Sequence, residues 1–93
     1  MNALKKKTQI FVGVCKIIKP LLPHDFEDEI VMDSDLEEDL WLNFVDKAEI
    51  YMGAEDKFGV KFPEEKTKEY SDIMKSVNTL VDFIYEEQQK KLN

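Results

Sequence analysis

Trp41-Leu42-Asn43-Phe44-Val45-Asp46-Lys47-Ala48-Glu49-Ile50-Tyr51-Met52-Gly53-Ala54-Glu55-Asp56-Lys57-Phe58-Gly59 is the stretch on which the fold turns. Asn43 is a residue type that accepts a hydrogen bond from the free amides of a first helical turn. Asp46, three residues on, puts negative charge at the positive end of the helix dipole. Val45, Ala48, Tyr51 or Met52, and Phe58 then supply an apolar stripe. Gly59 is the residue that most easily takes the left-handed conformation ending a helix. The stretch therefore predicts a helix from Asn43 to Phe58, with Asp46, Glu49, Glu55 and Asp56 as charge on its polar side.

Upstream, Ile10, Val14, Ile17, Ile18 and Leu21 recur at helical spacing and predict a first helix over Ala3–Ile18, stopped by Pro20 and Pro23. Residues 20–43 form a long acidic connection with scattered apolar anchors: Phe26, Ile30, Met32, Leu36 and Leu40. A loop of that length inside a compact domain asks for a functional reason. A short turn over Leu36–Leu40, capped by Ser34 or Asp35, fits inside it. Downstream, Pro63 opens a connection and Lys66–Tyr70 predicts a short third helix. Val77, Leu80, Val81, Ile84 and Tyr85 lie at i, i+3, i+4, i+7 and i+8 after Ser76, the clearest amphipathic pattern in the chain. The whole predicts an all-α fold, a small four-helix bundle with a long loop between helices 1 and 2. It reads as one domain over residues 1–93, with residues 1–7 and 88–93 expected to fray.

Charge is divided unevenly. Residues 1–20 carry five lysines and no acid, residues 21–56 thirteen acids and one lysine, and residues 57–93 seven of each, for a net charge of −7. The acidic middle and the absence of arginine argue against nucleic acid and for a protein partner with a basic surface. Cys15 is the only cysteine, so no intramolecular disulfide can form and a reduced, cytoplasmic setting is expected. No apolar run approaches the roughly 18 residues of a membrane span. Lys5–Lys7 followed by the short run Ile10–Cys15 reads as an amphipathic helix rather than an export signal.

The segment Ile30-Val31-Met32-Asp33-Ser34-Asp35-Leu36-Glu37-Glu38-Asp39-Leu40 resembles the loop leading into the second helix of acyl carrier proteins. Asp46, Glu49, Met52, Glu55, Asp56, Phe58 and Gly59 are similar to the acidic recognition helix of that family and its terminal Phe-Gly. Phe62-Pro63-Glu64-Glu65 looks like the turn that follows, and Val77 with Val81-Asp82-Phe83-Ile84 like the fourth helix. The resemblance covers residues 30–65 and 74–86. It implies a bundle of acyl-carrier-protein type, no enzymatic activity, and partners among fatty-acid or acyl-transfer enzymes. In the family an Asp-Ser-Leu sequence opens helix 2, and its serine carries a phosphopantetheine arm. Here those positions read Asn43-Phe44-Val45, and phenylalanine has no nucleophile. The small residues before the motif, often glycine and alanine, are here Trp41 and Leu42.

Other candidates for chemistry are weak. Ser34 sits in Asp33-Ser34-Asp35-Leu36, but it is ten residues too early for the register and reads as a turn residue. Ser71 and Ser76 read as helix caps. His24 stands alone and cannot assemble a zinc site. The alternating acids Asp33 to Asp39 lack the glycine and terminal glutamate of a calcium loop. No cofactor and no metal are expected.

The corner Trp41-Leu42-Asn43-Phe44-Val45 admits two arrangements, which can also combine with Trp41 inside and Phe44 outside. Trp41 and Leu42 fill space inside the bundle, or Trp41 and Phe44 form an exposed anchor with an acidic rim. The reading that follows is a monomeric, non-enzymatic carrier-like protein that binds a partner through Trp41, Phe44, Asp46, Glu49, Met52, Glu55 and Asp56. Two alternatives stay open: a carrier in fatty-acid or polyketide-type metabolism modified at another serine, and an acidic immunity or antitoxin-type inhibitor of a basic protein.

Overall fold

The computed structural model describes residues 2–92. Four α-helices follow one another: α1 (Ala3–Ile18), α2 (Phe44–Phe58), α3 (Lys68–Ile73) and α4 (Val77–Lys91), with a 3-10 turn at Lys19–Leu21. The limits of α1 and α2 are those the sequence implies, because their caps are local chemistry. Asn2 accepts from Lys5 N–H at 2.8 Å to start α1. Asn43 and Asp46 form a reciprocal capping box on α2, and Gly59 closes it at φ +67° with its N–H on Glu55 O. Ser76 and Thr79 start α4 in the same reciprocal way.

Three expectations shift. α3 begins two residues later than the sequence implies. Thr67 caps it and Lys66 takes φ +74°, so Lys66 lies outside the helix, and Ser71 is an exposed residue within it rather than a cap. Residues 3–7 and 88–91, expected as loose ends, are helical, and Gln88 Nε2 donates to Phe58 O at 3.4 Å. Met1 and Asn93 lie outside the described residues. The apolar stripe of α2 is also rotated from the expected one. Ile50 and Ala54 are fully buried, whereas Val45 and Met52 are about half exposed.

α1 packs along α4 and across α2. Ile10, Val14 and Ile18 meet Ile50 and Ala54 on one side and Val77, Leu80, Val81 and Ile84 on the other. Gly13 leaves room for the last ring of α2, since a Cβ there would sit 2.7 Å from Phe58 Cζ. Tyr51, Phe62, Tyr70 and Phe83 form an aromatic chain between α2, α3 and α4, with neighbouring ring centroids 4.7 to 5.9 Å apart.

The second half of the long connection is built into the bundle. Leu36, Leu40 and Leu42 are at most 3% exposed. Leu36 N–H donates to Lys75 O, Val77 N–H to Ser34 O and Asn78 N–H to Met32 O, which ties the segment to the start of α4. Its turn is organised by Asp35, whose Oδ1 accepts from the amides of Glu38 (2.8 Å) and Glu37 (2.9 Å). Those bonds hold the Asp35 carboxyl below the usual carboxylate range. Lys47 of α2 pairs with Glu37 at 3.0 Å and fixes the turn to the helix.

Candidate functional site

The turn over residues 36–40 delivers the chain to α2 through a corner whose side chains split. Leu42 enters the core, while Trp41, Phe44 and Val45 are 70%, 78% and 52% exposed. Trp41 is the unexpected member of this group, since it has φ +57°. A left-handed backbone costs a residue with a Cβ about 1 kcal/mol or more. That conformation turns the indole outward, where its only described aromatic contact is the edge of Phe26 at 6.5 Å. Of the two arrangements open to the sequence, burial falls to Leu42 and exposure to both Trp41 and Phe44.

Phe44 is the first residue of α2, so the ring projects at the helix's amide end with Asn43 and Asp46 beside it. Of the acids expected to dock a partner, Glu49 and Asp56 are exposed and make no side-chain hydrogen bond or ion pair among the described residues. The other two have internal work. Asp46 Oδ2 accepts from Asn43 N–H at 3.1 Å. Glu55 Oε2 accepts from Phe62 N–H at 2.8 Å, bracing the connection after Gly59 against the end of α2. Met52 is 51% exposed. Trp41, Phe44 and Val45 thus form the apolar patch, and Glu49 and Asp56 the free charge along the helix behind it.

The site holds no nucleophile at its exposed tip. Ser34 is 4% exposed, and its Oγ accepts from Val31 N–H at 2.9 Å. Ser76 is engaged with Thr79. Cys15 is half-buried on α1, and burial pushes its thiol up, away from the reactive thiolate. Among the described residues no group of three or more His, Cys, Asp or Glu is placed to hold a metal ion, and no helix is long and apolar enough to cross a membrane.

Sequence reasoning missed two members of this surroundings. Phe26 supports Trp41, and Lys47 anchors the approach turn through Glu37. Phe26 carried a signal, as an aromatic residue in an otherwise acidic loop. Lys47 was the one basic residue among thirteen acids, and so the one counter-ion available there.

Comparison with known proteins places the chain beside small carriers. It is 32% identical over 81 residues to the acyl carrier protein of Myxococcus xanthus, covering 87% of this chain and 96% of that protein. It is 32% identical over 81 residues to the acyl carrier protein of Micrococcus luteus, covering 94% of it. It is 32% identical over 79 residues to that of Coprothermobacter proteolyticus, covering 90% of it. No family model matches the chain. No solved structure matches it.

Proposed function

The chain belongs to the acyl carrier protein family, and from that premise we propose that it works as a carrier scaffold without the usual arm, docking a partner protein rather than carrying cargo at residue 44. Phe44 carries the reading. It stands at the first position of α2, 78% exposed, where the resemblance puts the arm-bearing serine. A ring there cannot form the phosphodiester, yet its exposure leaves it free to enter a partner's pocket.

The docking surface is the Trp41–Phe44–Val45 patch with Glu49 and Asp56 as charges for a basic groove. Large aromatic residues that become fully desolvated on binding supply most interface energy, and the surrounding charge supplies orientation. The partner is a protein with a basic, pocketed surface, of the kind that fatty-acid and acyl-transfer enzymes present to carriers. An arm on Ser34 would require that residue to leave a buried, hydrogen-bonded position, which weighs against it. The test is intact mass after incubation with a phosphopantetheinyl transferase and coenzyme A. Unchanged mass supports the scaffold reading, and gain of one phosphopantetheine overturns it.

A further inference from the structure

Next to the corner, α1 and the segment that follows it enclose a trough of about 620 Å³, open on one side. Phe11, Val12 and Cys15 form the α1 wall, and Leu22, Phe26 and Ile30 form the wall opposite. Charge is separated across it. Lys16 stands on α1 and Lys19 on the 3-10 turn that follows it, Asp28 and Glu29 on the facing segment, and all four are exposed. None of them takes part in the ion pairs among the described residues, which are Lys7–Asp82, Lys47–Glu37, Lys68–Asp72 and Lys90–Glu87. The trough is continuous with the docking corner, because Phe26 lines it and also meets the Trp41 ring.

We infer that this trough seats an amphipathic segment of the same partner, with apolar side chains between the walls, basic side chains toward Asp28 and Glu29, and acidic ones toward Lys16 and Lys19. The inference rests on the docking function proposed above. An anionic lipid surface is a poor occupant, because Asp28 and Glu29 line one wall, Asp25 and Glu27 are exposed on the same segment, and their charge repels it. A second copy of this chain fits no better. Its exposed apolar patch of Trp41, Phe44 and Val45 has Lys47 as its nearby cation, and Lys47 is already paired with Glu37. The wall from Phe11 to Lys19 is about 12 Å long at the rise of a helix, room for two turns of a partner helix.

Helical peptides of about 14 residues with a leucine face serve as probes. One carries lysine on one flank and glutamate on the other, one lysine on both, and one glutamate on both. Titration calorimetry at physiological salt should give the mixed peptide an affinity at least about tenfold above the all-glutamate one. Val12→Asp, at an exposed position in the trough, should weaken the mixed peptide about tenfold while helical circular dichroism stays unchanged. The double variant Asp28→Lys, Glu29→Lys should reverse the order of the mixed and all-glutamate peptides. Phe44→Ala should leave peptide affinity unchanged, since that ring lies outside the trough. Equal affinity for all three peptides, no binding of any, or insensitivity to Val12→Asp overturns the inference. Loss of peptide binding in Phe44→Ala overturns it too, by moving the peptide to the corner. Uptake of phosphopantetheine by the wild-type chain overturns the docking proposal instead and leaves these peptide results intact.

Discussion

Replacing Phe44 with serine places a hydroxyl at the start of α2, and the structure sets what this does to the fold. About a fifth of the Phe44 side chain is covered in the free protein. For an aromatic side chain of roughly 200 Å², that is about 45 Å² of buried surface. At about 25 cal/mol per Å² this contributes about 1 kcal/mol at most. Phenylalanine and serine have similar helix propensities. The cap is untouched, because Asn43 and Asp46 make it between themselves. Phe44→Ser should therefore lower the unfolding free energy by no more than about 1 kcal/mol, a Tm drop within about 8 °C for a domain of this size. Urea and thermal unfolding followed by circular dichroism measure it. The same variant, incubated with a phosphopantetheinyl transferase and coenzyme A, should gain one phosphopantetheine by intact mass, while the wild type gains none. A loss above about 2 kcal/mol would mean the ring is packed rather than displayed. Gain of the arm by the wild type, or its absence from Phe44→Ser, refutes the assignment of residue 44 to the attachment position.

The inward face of α2 can be tested by paired truncation. Ile50→Ala should cost about 2–5 kcal/mol in urea unfolding, and Met52→Ala less than about 0.5 kcal/mol. Tyr70 Oη is buried without a hydrogen-bond partner among the described residues, and burial pushes that hydroxyl up to about 12. Tyr70→Phe should be neutral to stabilising at pH 7, by up to on the order of 1 kcal/mol. A raised pKa means that the folded state resists ionisation. Stability is full below pH 10 and falls between pH 10 and about 12, a loss that Tyr70→Phe should shrink in alkaline unfolding. Asp35 is shifted the other way, so its contribution is present above the unfolded carboxylate value and disappears as pH falls below about 4. Asp35→Asn keeps an acceptor for the Glu38 and Glu37 amides but removes the charge, and should flatten the acid limb of a stability–pH curve.

The parts of this fold legible in the sequence are those fixed by near neighbours. Asn43 with Asp46, Gly59, and Ser76 each carry their own caps, so α2 begins and ends, and α4 begins, where the sequence implies. The inward face of α2 was not legible, because Val45, Ala48 and Met52 offer a stripe as plausible as Ile50 and Ala54. The choice between them is made by α1, through Gly13 and Ile17, which lie against Phe58 and Gly53. The order of the long acidic segment was hidden for a similar reason. Leu36 and Leu40 were visible as anchors, but the bonds from Leu36 to Lys75 and from Val77 to Ser34 join residues about forty apart in the chain and leave no local mark. Glu55 looked like a free surface acid, since nothing in its own turn announces the Phe62 amide seven residues on.

That last assignment changes where docking energy can come from. With Asp46 committed to the cap and Glu55 to Phe62, half of the helix's four expected acids have structural partners. Glu49 and Asp56 remain, both exposed and so screened by salt over roughly 8–10 Å. Exposed charges of this kind guide encounter more than they hold a complex. The apolar corner is different in character. Trp41 takes a left-handed backbone that an L side chain resists, and it does so with the indole 70% exposed, so the free protein gains little packing in return. Glycine at that position would relieve the strain, and a smaller side chain at residue 44 would remove an exposed ring. On the docking function proposed above, these two exposed aromatics contribute only when a second surface covers them. Under that proposed function, the affinity is therefore expected to reside in Trp41 and Phe44, with the acidic helix setting the speed and orientation of approach.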